Sequence, residues 1–248
     1  MEKQMTFADD PVLNNIGIAN QLIQDGNFRE AVEKLSELMN IDPDYPGLTA
    51  SFRTAKFWLN RADEILALPE GKRKADFLMT EWKAYEEYAK SKNMQTSSAY
   101  RSAMMNIYYT ASHHYSVSFI KQDDVTGNFD LLLNLGACFL KLENYPKTVE
   151  TLEYAANSYH AHAGLLSMLA EALYKLNDVP KSLWYFREAF FLDPSLIDLE
   201  LINAEPILGL VDFIRQERKN CSDVREWVPV YGFITDTLYV RKNLQKQQ

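Results

Sequence analysis

Two stretches of the chain, FDLLLNLGACFLKLENYPKTVETLEYAANSYHAH from Phe129 and AGLLSMLAEALYKLNDVPKSLWYFREAFFLDPSL ending at Leu196, match in kind at an offset of 34 residues. A fixed period of that size marks a repeated supersecondary unit, one that cannot bury its apolar face without a stacked neighbour. Leu135, Gly136 and Phe139 fall on Leu169, Ala170 and Leu173, while Tyr145, Thr148, Leu152 and Ala155 fall on Val179, Ser182, Phe186 and Ala189. A further copy lies upstream, where Ile18, Ala19, Leu22, Phe28, Ala31, Leu35, Leu38 and Pro43 occupy the same slots.

Each copy reads as two amphipathic helices, with apolar residues at three- and four-residue spacing. Gly136, Ala170 and Ala19 sit mid-way along the first helix, and Thr148, Ser182 and Ala31 early in the second. Helices packed closely in an antiparallel pair need small side chains where their backbones approach. The turns, Glu-Asn-Tyr-Pro, Asn-Asp-Val-Pro and Asp-Gly-Asn-Phe, offer Asn144, Asp178 and Asn27 as N-caps, followed in two cases by an early helical proline. Asp193-Pro194 and Asp42-Pro43 end the second helices, because the residue before proline avoids the helical region.

This pattern resembles the tetratricopeptide repeat family. The resemblance implies an all-α fold of antiparallel helix hairpins stacked as a right-handed α-solenoid, closed by a C-terminal capping helix. Residues 1–10 read as a loose leader and 11–248 as one helical repeat domain. Within it lie a repeat at 12–45, divergent helices at 48–122, tandem repeats at 129–196 and capping helices at 197–248. Leu48–Leu68 and Ala75–Lys90 read as amphipathic helices; on the sequence they make either a divergent repeat, with Ala75 in the small slot, or an unrelated pair. Gln95–Gln122 reads as one long helix carrying only Arg101 and Lys121 as charges. A water-facing helix shows a charged stripe, so this one is expected to be mostly buried between the first hairpins and the tandem repeats, its Tyr and Ser hydroxyls partnered. At the far end a helix over Pro206–Lys219 and a cap over Pro229–Gln245 are expected. The inner face of the cap is read as Trp227, Val230, Tyr231, Ile234, Leu238 and Tyr239.

Composition narrows function. The net charge of −8 supplies no basic field for nucleic acid. The leader MEKQMTFADDP has no apolar signal core, and the run Trp227–Val240 is broken by Pro229 and Asp236, so neither secretion nor membrane insertion is expected and the cytoplasm is the default. Cys138 and Cys221 have no disulfide or metal spacing. His113-His114 and His160-Ala161-His162 stand at short spacing, but no acidic or thiol ligand accompanies them by motif, so no metal or other cofactor is expected. Asp123, Asp124, Gly127 and Asp130 lack the alternation of a calcium loop. With no nucleophile elbow, phosphate-cradling glycine run or paired acid and base, the chain does not read as an enzyme.

What the resemblance implies instead is a concave surface lined by the first helix of each repeat. Slot by slot the lining is Leu13, Ile16, Asn20 and Gln24, then Asp130, Leu133, Asn134, Ala137 and Lys141, then Ser167, Glu171, Tyr174 and Lys175. Of these, Asn20, Gln24, Asn134, Lys141, Glu171, Tyr174 and Lys175 are the candidate partner-binding residues. The family's carboxylate clamp for chaperone tails is incomplete: Asn20 and Asn134 match, but Ile16 replaces a lysine and Gly164 and Met168 replace the basic pair. The expected function is an adaptor that binds a peptide or helix of another protein. The alternative is a structural subunit that self-associates through exposed apolar ends into a homo-oligomer, and an enzyme or metal protein comes third.

Overall fold

The computed structural model describes residues 10–121, 128–159, 161–218 and 222–238. Among them the chain forms α-helices and short 3-10 turns and no strand. It divides into two compact units, Met1–Lys121 and Gln122–Gln248.

The first unit holds α1 (Pro11–Gln24), α2 (Phe28–Ile41), α3 (Leu48–Ala67), α4 (Lys72–Ser91) and α5 (Ser98–Lys121). Asp10 caps α1 by accepting from the backbone N–H groups of Val12 at 2.9 Å and Leu13 at 3.3 Å, with Pro11 opening the helix as expected. The other Asp10 oxygen accepts from the Tyr45 hydroxyl at 2.6 Å, which holds its carboxyl below the usual carboxylate range. α1 and α2 form the first hairpin, with Ala19 and Ala31 wholly buried at the crossing.

α3 and α4 make no such close pair. Between them stand Trp58, Trp82 and Tyr85, the indoles stacked with centroids 6.3 Å apart and the Tyr85 hydroxyl 2.7 Å from Thr54 Oγ1. Aromatic rings of that size keep the two backbones apart, where a repeat hairpin needs small residues. α4 pairs instead with α5, whose buried Ala99, Ala103 and Ala111 let neighbouring helices approach. α5 also packs on α1 and α3, but it is buried along one side only. Ala103, Ile107, Ala111 and Tyr115 are covered while Arg101, Tyr109, His113 and Ile120 are exposed, so its lack of charge does not make it the mostly buried helix expected. Several of its polar side chains are partnered, as burial favours, although Nδ1 of buried His114 is not. Tyr115 donates to Asp76 at 2.9 Å, Ser98 accepts from Asn20 at 2.8 Å, and Asn106 donates to the Gln24 carbonyl at 2.9 Å. Ser118 accepts from the Lys72 N–H at 2.6 Å.

The second unit holds α6 (Phe129–Lys141), α7 (Tyr145–Ser158), α8 (Ala163–Lys175), α9 (Val179–Leu192), α10 (Glu205–Glu217) and α11 (Val228–Ile234). Neighbouring helices from α6 to α9 pack in sequence. Gly136 in α6 sits so near α7 that an added Cβ would lie 2.3 Å from Leu152 Cδ2. Thr148, Ala170 and Ser182 are buried without measurable exposure, as the small slots require. Cys138 is buried and its thiol pushed up to about 12, an inert packing residue.

The turn geometry repeats with the sequence. Gly26, Glu143 and Asn177, one slot of each copy, all take left-handed backbone angles, with φ of 81°, 57° and 66°. After each, an N–H closes the helix end on the residue five back: Asn27 to the Leu22 carbonyl at 2.8 Å, Asn144 to Phe139 at 2.9 Å, Asp178 to Leu173 at 3.0 Å. The side chains of Asn144 and Asp178 then cap α7 and α9 as expected; Asn27 makes no such side-chain bond.

The C-terminal end departs from expectation. The helix predicted over Pro229–Gln245 ends at Ile234, because Asp236 turns left-handed at φ 58° and the Leu238 N–H returns to the Gly232 carbonyl at 2.9 Å. The inward residues are Val228, Gly232 and Leu238, with Leu238 folded onto Gly232, whereas Val230 and Ile234 are exposed and Trp227 and Tyr231 half-buried. Among the described residues of the expected inner face, Leu238 alone is buried. Tyr239 and residues 240–245 lie outside the described residues, as do the leader up to residue 9, the loop 122–127, His160 and Cys221.

Candidate functional site

The expected lining residues take unequal positions. Asn20 is a correction: it is buried inside the first unit, its amide donating to Ser98 of α5, because α5 covers that face of α1. Gln24 is exposed and belongs to the same unit. Asn134 and Lys141 are half-buried on α6, Tyr174 half-buried on α8, and Lys175 exposed at the end of α8.

Glu171 is the second correction. It is only 1% exposed. After α9 the chain doubles back through 3-10 turns at Pro194–Leu196 and Leu199–Leu201, and the Ala204 N–H donates to Glu171 Oε2 at 2.9 Å. Arg225 fastens the same segment by donating to the carbonyls of Ser195 at 2.8 Å and Ile197 at 3.1 Å. Ile197, Ile202, Ala204 and Ile207 are all buried. The face read as open for a partner at Glu171 is thus occupied by this chain's own segment.

Burial raises the Glu171 carboxyl above the usual range, against the opposing pull of the Asn203 and Ala204 N–H groups and of Lys175, whose Nζ lies 3.6 Å away. The native protein therefore holds this proton to a higher pH than the unfolded chain does. Its contribution to stability is greatest below about pH 4.3, the ordinary glutamate value, and falls as pH rises toward the raised one. Glu171→Gln keeps an acceptor for Ala204 while removing the buried charge. Its urea midpoint relative to the parent should rise between pH 4 and neutrality (on the order of the glutamate range and above). A constant difference across that range would mean the carboxyl titrates normally.

Beyond Glu171 the same side of α8 opens into a cleft of about 510 Å³. Tyr174 forms one wall, and Pro206, Gly209, Leu210 and Phe213 of α10 the other, with Glu205, Thr235 and Thr237 adding polar edges. Lys175 Nζ stands 6.0 Å over the Tyr174 ring. The Thr235 and Thr237 hydroxyls are 2.8 Å apart. Phe213 remains 43% exposed, supported edge-on by Tyr231 at 5.8 Å. An apolar floor with few polar groups at its edge suits an apolar side chain and a neighbouring polar or basic group. On the sequence the α10 residues read as cap; the one available signal was Phe213, a large aromatic at the edge of the apolar stripe of Ile207, Leu210, Val211 and Ile214.

Other candidates for chemistry stay apart. Burial, with Lys74 nearby, pushes the His114 imidazole below the usual histidine range, and His162 accepts the Leu165 N–H at 3.3 Å as the cap of α8. Among the described residues no three His, Cys, Asp or Glu side chains converge as a metal site, and no helix is long and apolar enough to cross a membrane. Comparison with protein-family models, curated proteins and solved structures gives no match.

Proposed function

We propose that the chain is a non-enzymatic adaptor of tetratricopeptide type, working in the cytoplasm, which holds a segment of another protein against α8. The family reading rests on the shared turn geometry of Gly26, Glu143 and Asn177 and on the small residues at each hairpin crossing. The observation that carries the binding reading is the cleft between Tyr174 and Phe213. Tyr174 offers a flat apolar body with a polar tip, the profile of a binding anchor. Lys175 and Glu205 place opposite charges near it, so the ligand is a partly apolar peptide or helix of mixed charge. Asn134, with both amide donor and acceptor, adds backbone recognition from α6.

Co-purification from the host with quantitative mass spectrometry tests this. Tyr174→Ala with Phe213→Ala should weaken capture of the partner at least about tenfold, equivalent to 1.4 kcal/mol, with helix content unchanged. Asn134→Ala should add to that loss. Equal capture by the double variant removes the cleft from the interface.

A further inference from the structure

The second helices of the repeats allow an internal comparison of their outward faces. In α2 the stripe at i, i+3, i+4 and i+7 is Glu33, Ser36, Glu37 and Asn40; in α7 it is Glu150, Glu153, Tyr154 and Asn157. The same slots in α9 hold Trp184, Arg187, Glu188 and Phe191. The inward positions Ser182, Phe186 and Ala189 are buried as their counterparts are in the other copies, and Phe190 is buried beside them, so the stripe is not needed for the hairpin. Trp184 is nevertheless 40% and Phe191 62% exposed. At positions that the other repeats give to water, α9 presents two large aromatic rings with a charge pair between them.

The order of these residues is self-complementary. Read from either end, the stripe runs aromatic, charge, charge, aromatic, with the sign of the charges inverted on reversal. Trp184 and Phe191 are two turns apart, about 10.5 Å along the axis, and on nearly the same line of the helix. A two-fold axis between positions 187 and 188 sets Trp184 of one copy on Phe191 of the other, and Arg187 on Glu188 twice. That is the requirement of an isologous interface, in which one patch must complement itself. Within the chain Arg187 already reaches Glu188, Nη2 to Oε1 at 2.6 Å. Pairing two copies makes a four-charge ring that keeps both signs balanced.

We propose that α9 is a homodimer interface, two copies packing antiparallel through Trp184, Arg187, Glu188 and Phe191. The occupant is a second copy of this chain because the charge order matches its own reverse. The face is distinct from the cleft at Tyr174, and the proposal stands independently of the adaptor reading. Two aromatic pairs make a small interface, so the dimer is a weak one whose formation depends on concentration.

Sedimentation equilibrium of the full chain over rising concentration tests it. The mass should climb from that of one chain toward that of two. Arg187→Glu and Glu188→Arg should each raise the dissociation constant at least about tenfold, since each sets like charges face to face. An equimolar mixture of the two variants should regain a dimer of near-parental affinity, because the opposed charges then match. Circular dichroism should be unaltered throughout, as these side chains lie outside the core, and Tyr174→Ala with Phe213→Ala should leave dimerisation unchanged. A parent that stays monomeric overturns the proposal, as do single variants that dimerise like the parent or a mixture that fails to pair.

Discussion

Gly136→Leu should unfold the second unit at markedly lower urea than the parent, and even Gly136→Ala should be costly. The first added carbon would lie 2.3 Å from Leu152 Cδ2 and 2.7 Å from its Cγ, well inside van der Waals contact. Leu152 is itself fully buried, so it cannot swing out into solvent without giving up its core contacts. Overpacking of this kind typically costs about 1–3 kcal/mol, and occasionally more, through backbone shifts and off-rotamer side chains. Leucine adds three further carbons and belongs at or above the upper end. The cause is checked by a double-mutant cycle. Leu152→Ala alone should cost about 2–5 kcal/mol as a cavity. Combined with Gly136→Ala it should cost less than the sum of the two, because the new methyl group occupies the vacated volume. Additive losses would place the Gly136 effect elsewhere than at this crossing.

The largest loss in the first unit is expected from Trp82→Ala, about 3–5 kcal/mol by the usual range for aromatic truncation in a core. Trp82 is 1% exposed, and its ring meets Trp58 at 6.3 Å, Tyr85 at 5.4 Å, Tyr100 at 5.3 Å and Tyr108 at 5.4 Å. These rings come from α3, α4 and α5, so one truncation loosens the contacts among three helices at once. Trp82→Phe is the informative control. The indole Nε1 is buried without a hydrogen-bond partner, so phenylalanine removes an unsatisfied donor while keeping an aromatic ring. It should cost much less than alanine in equilibrium urea unfolding. Similar losses for both substitutions would mean that the full indole shape, rather than aromatic bulk, holds the cluster.

Legibility from the sequence followed the range of the interactions involved. Helix ends, caps and hairpin crossings depend on residues within one or two turns, and in the tandem repeats these were readable, though the Asn27 cap of α2 and the length of the last helix were not. Pro11 behind Asp10, Asn144 and Asp178 as caps, and the small slots at Ala19, Gly136, Thr148, Ala170 and Ser182 all stand where the period puts them. The near absence of charge in α5 was a weaker guide. It fits the side packed on α1, α3 and α4, yet Tyr109 and Ile120 on the same helix stand exposed. Uncharged residues are tolerated at a surface, whereas an ionised side chain inside a core carries a large desolvation penalty.

What the sequence could not give was which partner covers each face. Ala75 fits a repeat slot, yet α4 pairs closely with α5, because the rings of Trp58, Trp82 and Tyr85 hold it off α3. Asn20 and Glu171 occupy slots that face a ligand in the resembled family, and here both are covered from within: Asn20 by Ser98, distant by 78 residues, and Glu171 by Ala204, distant by 33. Polar residues at a first-helix slot look the same in sequence whether water, a ligand or the chain's own backbone satisfies them. The period by itself determined the hairpins and their turns, since those are set by local sterics and short-range hydrogen bonds. Only the tertiary structure decided which faces stay open, because burial is a property of residues brought together from far along the chain.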